Sequence, residues 1–117
     1  MGVHNLQSMS DFKEATANPG LMVIDCFATW CGPCKQIAPK VVTLSNIFSS
    51  VRFFKLDVDE VPDVAQELSI RAMPTFLLFK DGERAGEVVG ASEKALEAAI
   101  VKAGGEAVKG EAAKEEV

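Results

Sequence analysis

A single α/β domain, one mixed sheet with helices on both faces, is what this 117-residue sequence predicts. Strand-sized apolar runs alternate with segments whose apolar residues recur every three or four positions. Two later strand-like runs flank Asp81-Gly82-Glu83, a hairpin signal, so part of the sheet is antiparallel. The composition, 48% hydrophobic and 25% charged, suffices for a core and excludes disorder over most of the length. Connections between parallel strands are expected to be right-handed crossovers.

Taken in order, Val3–Leu6 reads as a short first strand. Ser8 followed by Asp11 opens a first helix, because a serine oxygen can accept a free N–H of the first turn. Leu21–Ala28 is apolar except for Asp25 and reads as a strand buried on both faces. Cys34, Ile37, Ala38, Val41, Leu44 and Phe48 then form the stripe of an amphipathic helix, which Pro39 should kink by removing a backbone donor. Val51–Val58 alternates, with Phe54, Leu56 and Val58 on one face and Phe53, Lys55 and Asp57 on the other. Val61, Val64, Ala65 and Leu68 mark a short helix with Pro62 in its first turn. Thr75–Lys80 and Arg84–Val89 are the arms of the hairpin. Ser92 caps a last helix that buries Leu96, Ala99, Ile100 and Ala103. From Gly104 onward the large apolar residues give out, and Glu106, Glu111, Glu115 and Glu116 outnumber Lys109 and Lys114. The domain is therefore expected to span residues 1–103, with 104–117 a flexible acidic tail.

Charge and cysteine content narrow the function. Net charge is −5 and no cluster of Lys and Arg occurs, which argues against nucleic acid or an anionic membrane as partner. No apolar run approaches the ~18 residues of a membrane span. Met1–Leu6 has no basic region followed by an apolar one, and Leu6 stands where a myristoylation signal needs Ser or Thr. A cytoplasmic location is the expectation. Three cysteines are an odd number and too few for a disulfide scaffold, so a close pair points to catalysis or metal binding.

That pair is Cys31-Gly32-Pro33-Cys34, between the first long strand and the kinked helix. Unpaired N–H groups and partial positive charge at a helix start stabilise a thiolate. Cys31, first in the helix, is expected to be the exposed nucleophile. Cys34, one turn in and part of the apolar stripe, is expected to be shielded and to attack any disulfide that Cys31 forms. A zinc half-site and an inert bridge are the competing readings. Zinc needs four ligands, and the only other candidates, Cys26 and His4, lack ligand spacing. A redox pair with no metal is favoured.

Asp25-Cys26-Phe27-Ala28-Thr29-Trp30-Cys31-Gly32-Pro33-Cys34-Lys35 resembles the active-site stretch of the thioredoxin family. The resemblance continues through Lys55-Leu56-Asp57-Val58-Asp59, Ala72-Met73-Pro74-Thr75, Phe79-Lys80-Asp81-Gly82 and Val89-Gly90, and covers about residues 3–103. In wording it is similar to small cytosolic members from fungi. It implies a five-stranded mixed sheet flanked by four helices, protein-disulfide reductase activity, and a monomer without bound flavin or nicotinamide. The implied partners are disulfide-containing client proteins and thioredoxin reductase, an NADPH-dependent flavoprotein that regenerates the dithiol.

The resemblance also assigns roles. Asp25, costly to ionise among Val23, Ile24, Cys26 and Phe27, becomes a buried acid of raised pKa that accepts the Cys34 proton through water. Lys55 on the neighbouring strand tunes it. Met73-Pro74 matches the family's cis-proline loop, which leaves the Met73 backbone free to pair with a substrate strand. Trp30, Pro33, Met73, Pro74, Gly90 and Ala91 are expected to form a flat, weakly polar groove around Cys31, with Trp30, Gly32 and Pro33 supporting the pair. Phe27 stands where many relatives carry Trp, and Cys26 is an extra thiol, read as buried and inert. Isomerases and oxidases of this fold favour His between the cysteines, so Gly32-Pro33 points to a reductant. A pure binding module would not need both cysteines.

Overall fold

A computed structural model describes residues 2–107 of the chain. Five strands and four helices alternate: β1 (Val3–Asn5), α1 (Met9–Ala17), β2 (Leu21–Phe27), α2 (Gly32–Ile47), β3 (Arg52–Asp57), α3 (Pro62–Glu67), β4 (Thr75–Lys80), β5 (Glu83–Val89) and α4 (Glu93–Lys102). They build one sheet in the order β1-β3-β2-β4-β5. β3 runs parallel to β1 and β2, β4 antiparallel to β2, and β5 antiparallel to β4. The predicted mixed sheet with two covered faces is therefore observed.

Period-two alternation sorts the core into two layers. Val23, Phe53, Phe76 and Leu78 meet Ile37, Val41 and Leu44 of α2 and Leu96 and Ile100 of α4. Met22, Ile24, Cys26, Leu56, Leu77 and Phe79 point the other way, toward Ala15 of α1, Val64 of α3 and the capping residues Val61 and Leu68 of α3. β2 is central and buried on both faces, which explains why its sequence is a near-continuous apolar run.

The predicted caps form. Ser8 Oγ accepts the Asp11 N–H at 3.0 Å, and Ser92 Oγ accepts the Ala95 N–H at 3.1 Å. α2 continues through Pro39, and one residue departs from the sequence reading: Ala38, assigned to the buried stripe of α2, is exposed. Ala38 instead lines a hollow beside Asp25. At the end of α4 the Gly104 N–H donates to Val101 O at 3.0 Å and the Gly105 N–H to Ile100 O at 2.8 Å, a C-terminal glycine cap. Of the stretch read as an acidic tail, 108–117 lie outside the described residues.

Candidate active site

The site lies where β2 hands over to α2. β2 ends at Phe27, the Cys31 N–H turns back to Ala28 O at 3.2 Å, and Cys31 becomes the N-cap of α2. Gly32 and Pro33 occupy the first helical positions, where proline loses nothing because those N–H groups have no intrahelical acceptor. The Cys34 N–H donates to Cys31 Sγ at 3.2 Å. A sulfur at the N-cap thus receives a backbone donor and the positive end of the helix, the two influences that favour a thiolate. Cys31 Sγ and Cys34 Sγ are joined as a disulfide, with Cα atoms 5.3 Å apart.

Exposure does not separate the two sulfurs as the sequence reading expected. Cys31 is 6% accessible and Cys34 4%. Cys31 packs with Ala28 and Cys34, against Phe27, Val58 and Met73, so the surrounding loops cover it. What distinguishes the cysteines is position: Cys31 caps the helix, and Cys34 is inside its first turn.

Asp25 is 6% accessible on the β2 face shared with Val23. Its register neighbours are Lys55 on β3 and Phe76 on β4. Among the described residues, Asp25 Oδ1 is buried without a hydrogen-bond partner. Burial pushes its carboxyl up to about 7, against the pull of the Lys55 ammonium, which favours the ionised form. Asp25 and Cys34 line one hollow of about 250 Å³, together with Ala28, Lys35, Ala38 and Lys55. That space admits water between acid and thiol. Cys26, next in sequence, points into the opposite layer. Burial and then the Asp25 charge push its thiol up to about 12, opposed by Arg84.

Trp30 is 67% exposed, and its indole N–H donates to Asp59 Oδ2 at 2.9 Å. Asp59 is itself placed by buried Asp57, whose Oδ1 accepts the Asp59 N–H at 2.9 Å. Sequence pattern assigns neither acid a role: Asp57 is the last residue of β3, and Asp59 lies beyond it, where no periodicity reveals a partner. Across the site the Met73–Pro74 peptide is cis. Met73 O lies 3.7 Å from Cys31 Sγ, and the Gly90 N–H donates to Pro74 O at 2.8 Å. Pro33 and Ala91 are exposed, Met73 and Gly90 half-buried, and Pro74 buried. Ala91 faces Gln36, Ile37 and Lys40 of α2 across a small hollow. Among the described residues no group of three or more His, Cys, Asp or Glu is placed to hold a metal, and no helix is long and apolar enough to cross a membrane.

The family model described as Thioredoxin matches residues 3–102. The chain is 57% identical over 100 residues to Thioredoxin-2 of Pyricularia oryzae, a match covering 86% of this chain and 58% of that protein. It is 58% identical over 99 residues to Thioredoxin AMT13 of Alternaria alternata, covering 84% of each. The crystal structure of oxidised mitochondrial thioredoxin 3 from Saccharomyces cerevisiae superposes with a TM-score of 0.83 at 43% identity, covering 86% of this chain and 94% of that one.

Proposed function

The chain belongs to the thioredoxin family and is a thiol–disulfide oxidoreductase with Cys31 and Cys34 as its redox pair, and on that footing we propose how it reduces client proteins. The Cys31 thiolate attacks one sulfur of a client disulfide. The client S–S bond breaks, its second sulfur leaves as a thiolate that takes up a proton, and a mixed disulfide joins Cys31 to the client. Cys34 then gives its proton through water to the Asp25 carboxylate and attacks Cys31 Sγ. The client's remaining thiolate departs, and two electrons have passed from the Cys31/Cys34 dithiol to the client.

One observation carries this division of labour: the Cys34 N–H donates to Cys31 Sγ at the N-cap of α2. A carboxyl near pH 7 beside the second cysteine supports Asp25 as its proton acceptor, since a base works best near the operating pH. Lys55, its register partner, tunes it. Trp30, Met73, Pro74, Gly90 and Ala91 receive the client segment, whose backbone pairs with Met73 beside the sulfurs. Gly32 and Pro33 keep the pair reducing. Thioredoxin reductase, an NADPH-dependent flavoprotein, restores the dithiol, and the chain itself binds no cofactor.

The redox unit is residues 1–103, acting as a monomer in the cytoplasm; the acidic stretch 104–117 takes no part in the chemistry. A buried free thiol at Cys26 suits a reducing compartment. One similar yeast protein is mitochondrial, so cell fractionation is the check, and a mitochondrial signal would refute the cytoplasmic assignment. Insulin turbidity in dithiothreitol tests the activity. The chain should precipitate the insulin B chain well before dithiothreitol alone does; equal onset would refute the reductase reading.

A further inference from the structure

We propose that Thr75 is a positioning residue for the recognition of protein disulfides. Thr75 opens β4, directly after the Met73–Pro74 peptide. Thr75 is 4% accessible, and its hydroxyl donates to Ala72 O at 2.6 Å. A hydroxyl this deeply placed needs a partner, and it takes one from the backbone of the loop before the strand. The bond closes a short ring of chain around Met73 and Pro74. Gly90 holds the other side of that ring through Pro74 O at 2.8 Å.

Between these two ties stands the Met73 backbone, with its carbonyl 3.7 Å from Cys31 Sγ. The last hydrogen bonds of α3 end with the Ile70 N–H on Ala65 O, and Arg71 to Pro74 lie in neither helix nor strand, so local propensity does not fix where Met73 stands. The Thr75 anchor does so together with the Gly90 tie. Its hydroxyl reaches neither sulfur, so it acts on recognition through Met73 and not on the thiol chemistry. This rests on the reading that client backbone pairs with Met73. A small disulfide has no peptide strand to pair and should be indifferent to the anchor.

The experiment compares wild type with Thr75→Val, Thr75→Ala and Thr75→Ser, each reduced with dithiothreitol. Reduction of insulin is measured against reduction of the aromatic disulfide 5,5′-dithiobis(2-nitrobenzoic acid). Losing one such hydrogen bond corresponds to about a tenfold effect, so Thr75→Val and Thr75→Ala should raise the KM for insulin about tenfold. Their kcat for insulin and their rate with the small disulfide should stay within about twofold of wild type, and Thr75→Ser should restore the KM. An unchanged insulin KM, or a parallel loss on both substrates, overturns the proposal. Denaturant melts come first; if neither hydroxyl-free variant folds, the hydroxyl serves folding and the proposal is likewise overturned. A wild type that leaves insulin unreduced would instead refute the reductase reading itself.

Discussion

Replacing Asp25 with Asn should make the protein more stable at neutral pH and slower at its chemistry. The carboxyl ordinarily titrates at 3.8 and is raised to about 7 in the fold. At ~1.4 kcal/mol per factor of ten, ionising it in the folded chain costs about 4 kcal/mol more than in the unfolded chain. Burial is the larger cause and the Lys55 ammonium offsets part of it. Below pH 3.8 both states carry the neutral acid and nothing is lost. Between 3.8 and about 7 the unfolded chain releases its proton while the folded chain keeps it, so stability falls as pH rises. Above 7 both are ionised and the full penalty stands. Urea melts of the oxidised wild type and Asp25→Asn at pH 4 and pH 8 isolate this effect, because neither cysteine of the disulfide titrates. Wild type should lose about 4 kcal/mol relative to the variant between the two pH values. Taking that difference cancels the amide's own packing cost. Resolution of the mixed disulfide at pH 7 should slow by roughly a hundredfold, the low end for loss of a general base. Parallel stability curves together with an unchanged turnover would refute the reasoning.

Three other outcomes are expected. Cys31→Ser should abolish disulfide reduction, while Cys34→Ser should accumulate a mixed disulfide with insulin visible on a non-reducing gel; adducts formed by Cys31→Ser and not by Cys34→Ser would reverse the assignment. Cys26, fully buried and with its thiol raised to about 12, should resist iodoacetamide in the native protein, and Cys26→Ala should keep turnover within about twofold, as expected of an inert thiol. Asp59→Ala frees the indole of the only tryptophan, so Trp30 fluorescence anisotropy should fall and the insulin KM rise about threefold to tenfold, the net worth of one ordinary hydrogen bond. Unchanged anisotropy would show that this hydrogen bond does not hold the ring.

Short-range pattern made much of this protein legible before any coordinates. The two helix caps at Ser8 and Ser92, the hairpin around Asp81-Gly82 and the buried β2 run depend on neighbours within a few residues, and they form as read. The Cys31/Cys34 pair was legible for the same reason, since four consecutive residues define both the small ring and the helix start that activates it. Ala38 was misassigned because periodicity gives the angular position of a residue on a helix but not how far the covering layer extends. Local pattern could not decide what spans large separations along the chain: the family resemblance named Lys55 and Met73, nothing named Asp59 as the partner of Trp30, and the tertiary structure set all three in place. It inserted β2 between β3 and β4, which sets Lys55 and Phe76 on either side of Asp25 and buries that acid. It brought Asp59 to Trp30 and Met73 to Cys31, 29 and 42 residues apart in sequence. Those contacts belong to strand order and to loops without periodicity, where the free energy comes from burial shared across the whole domain and not from any local segment.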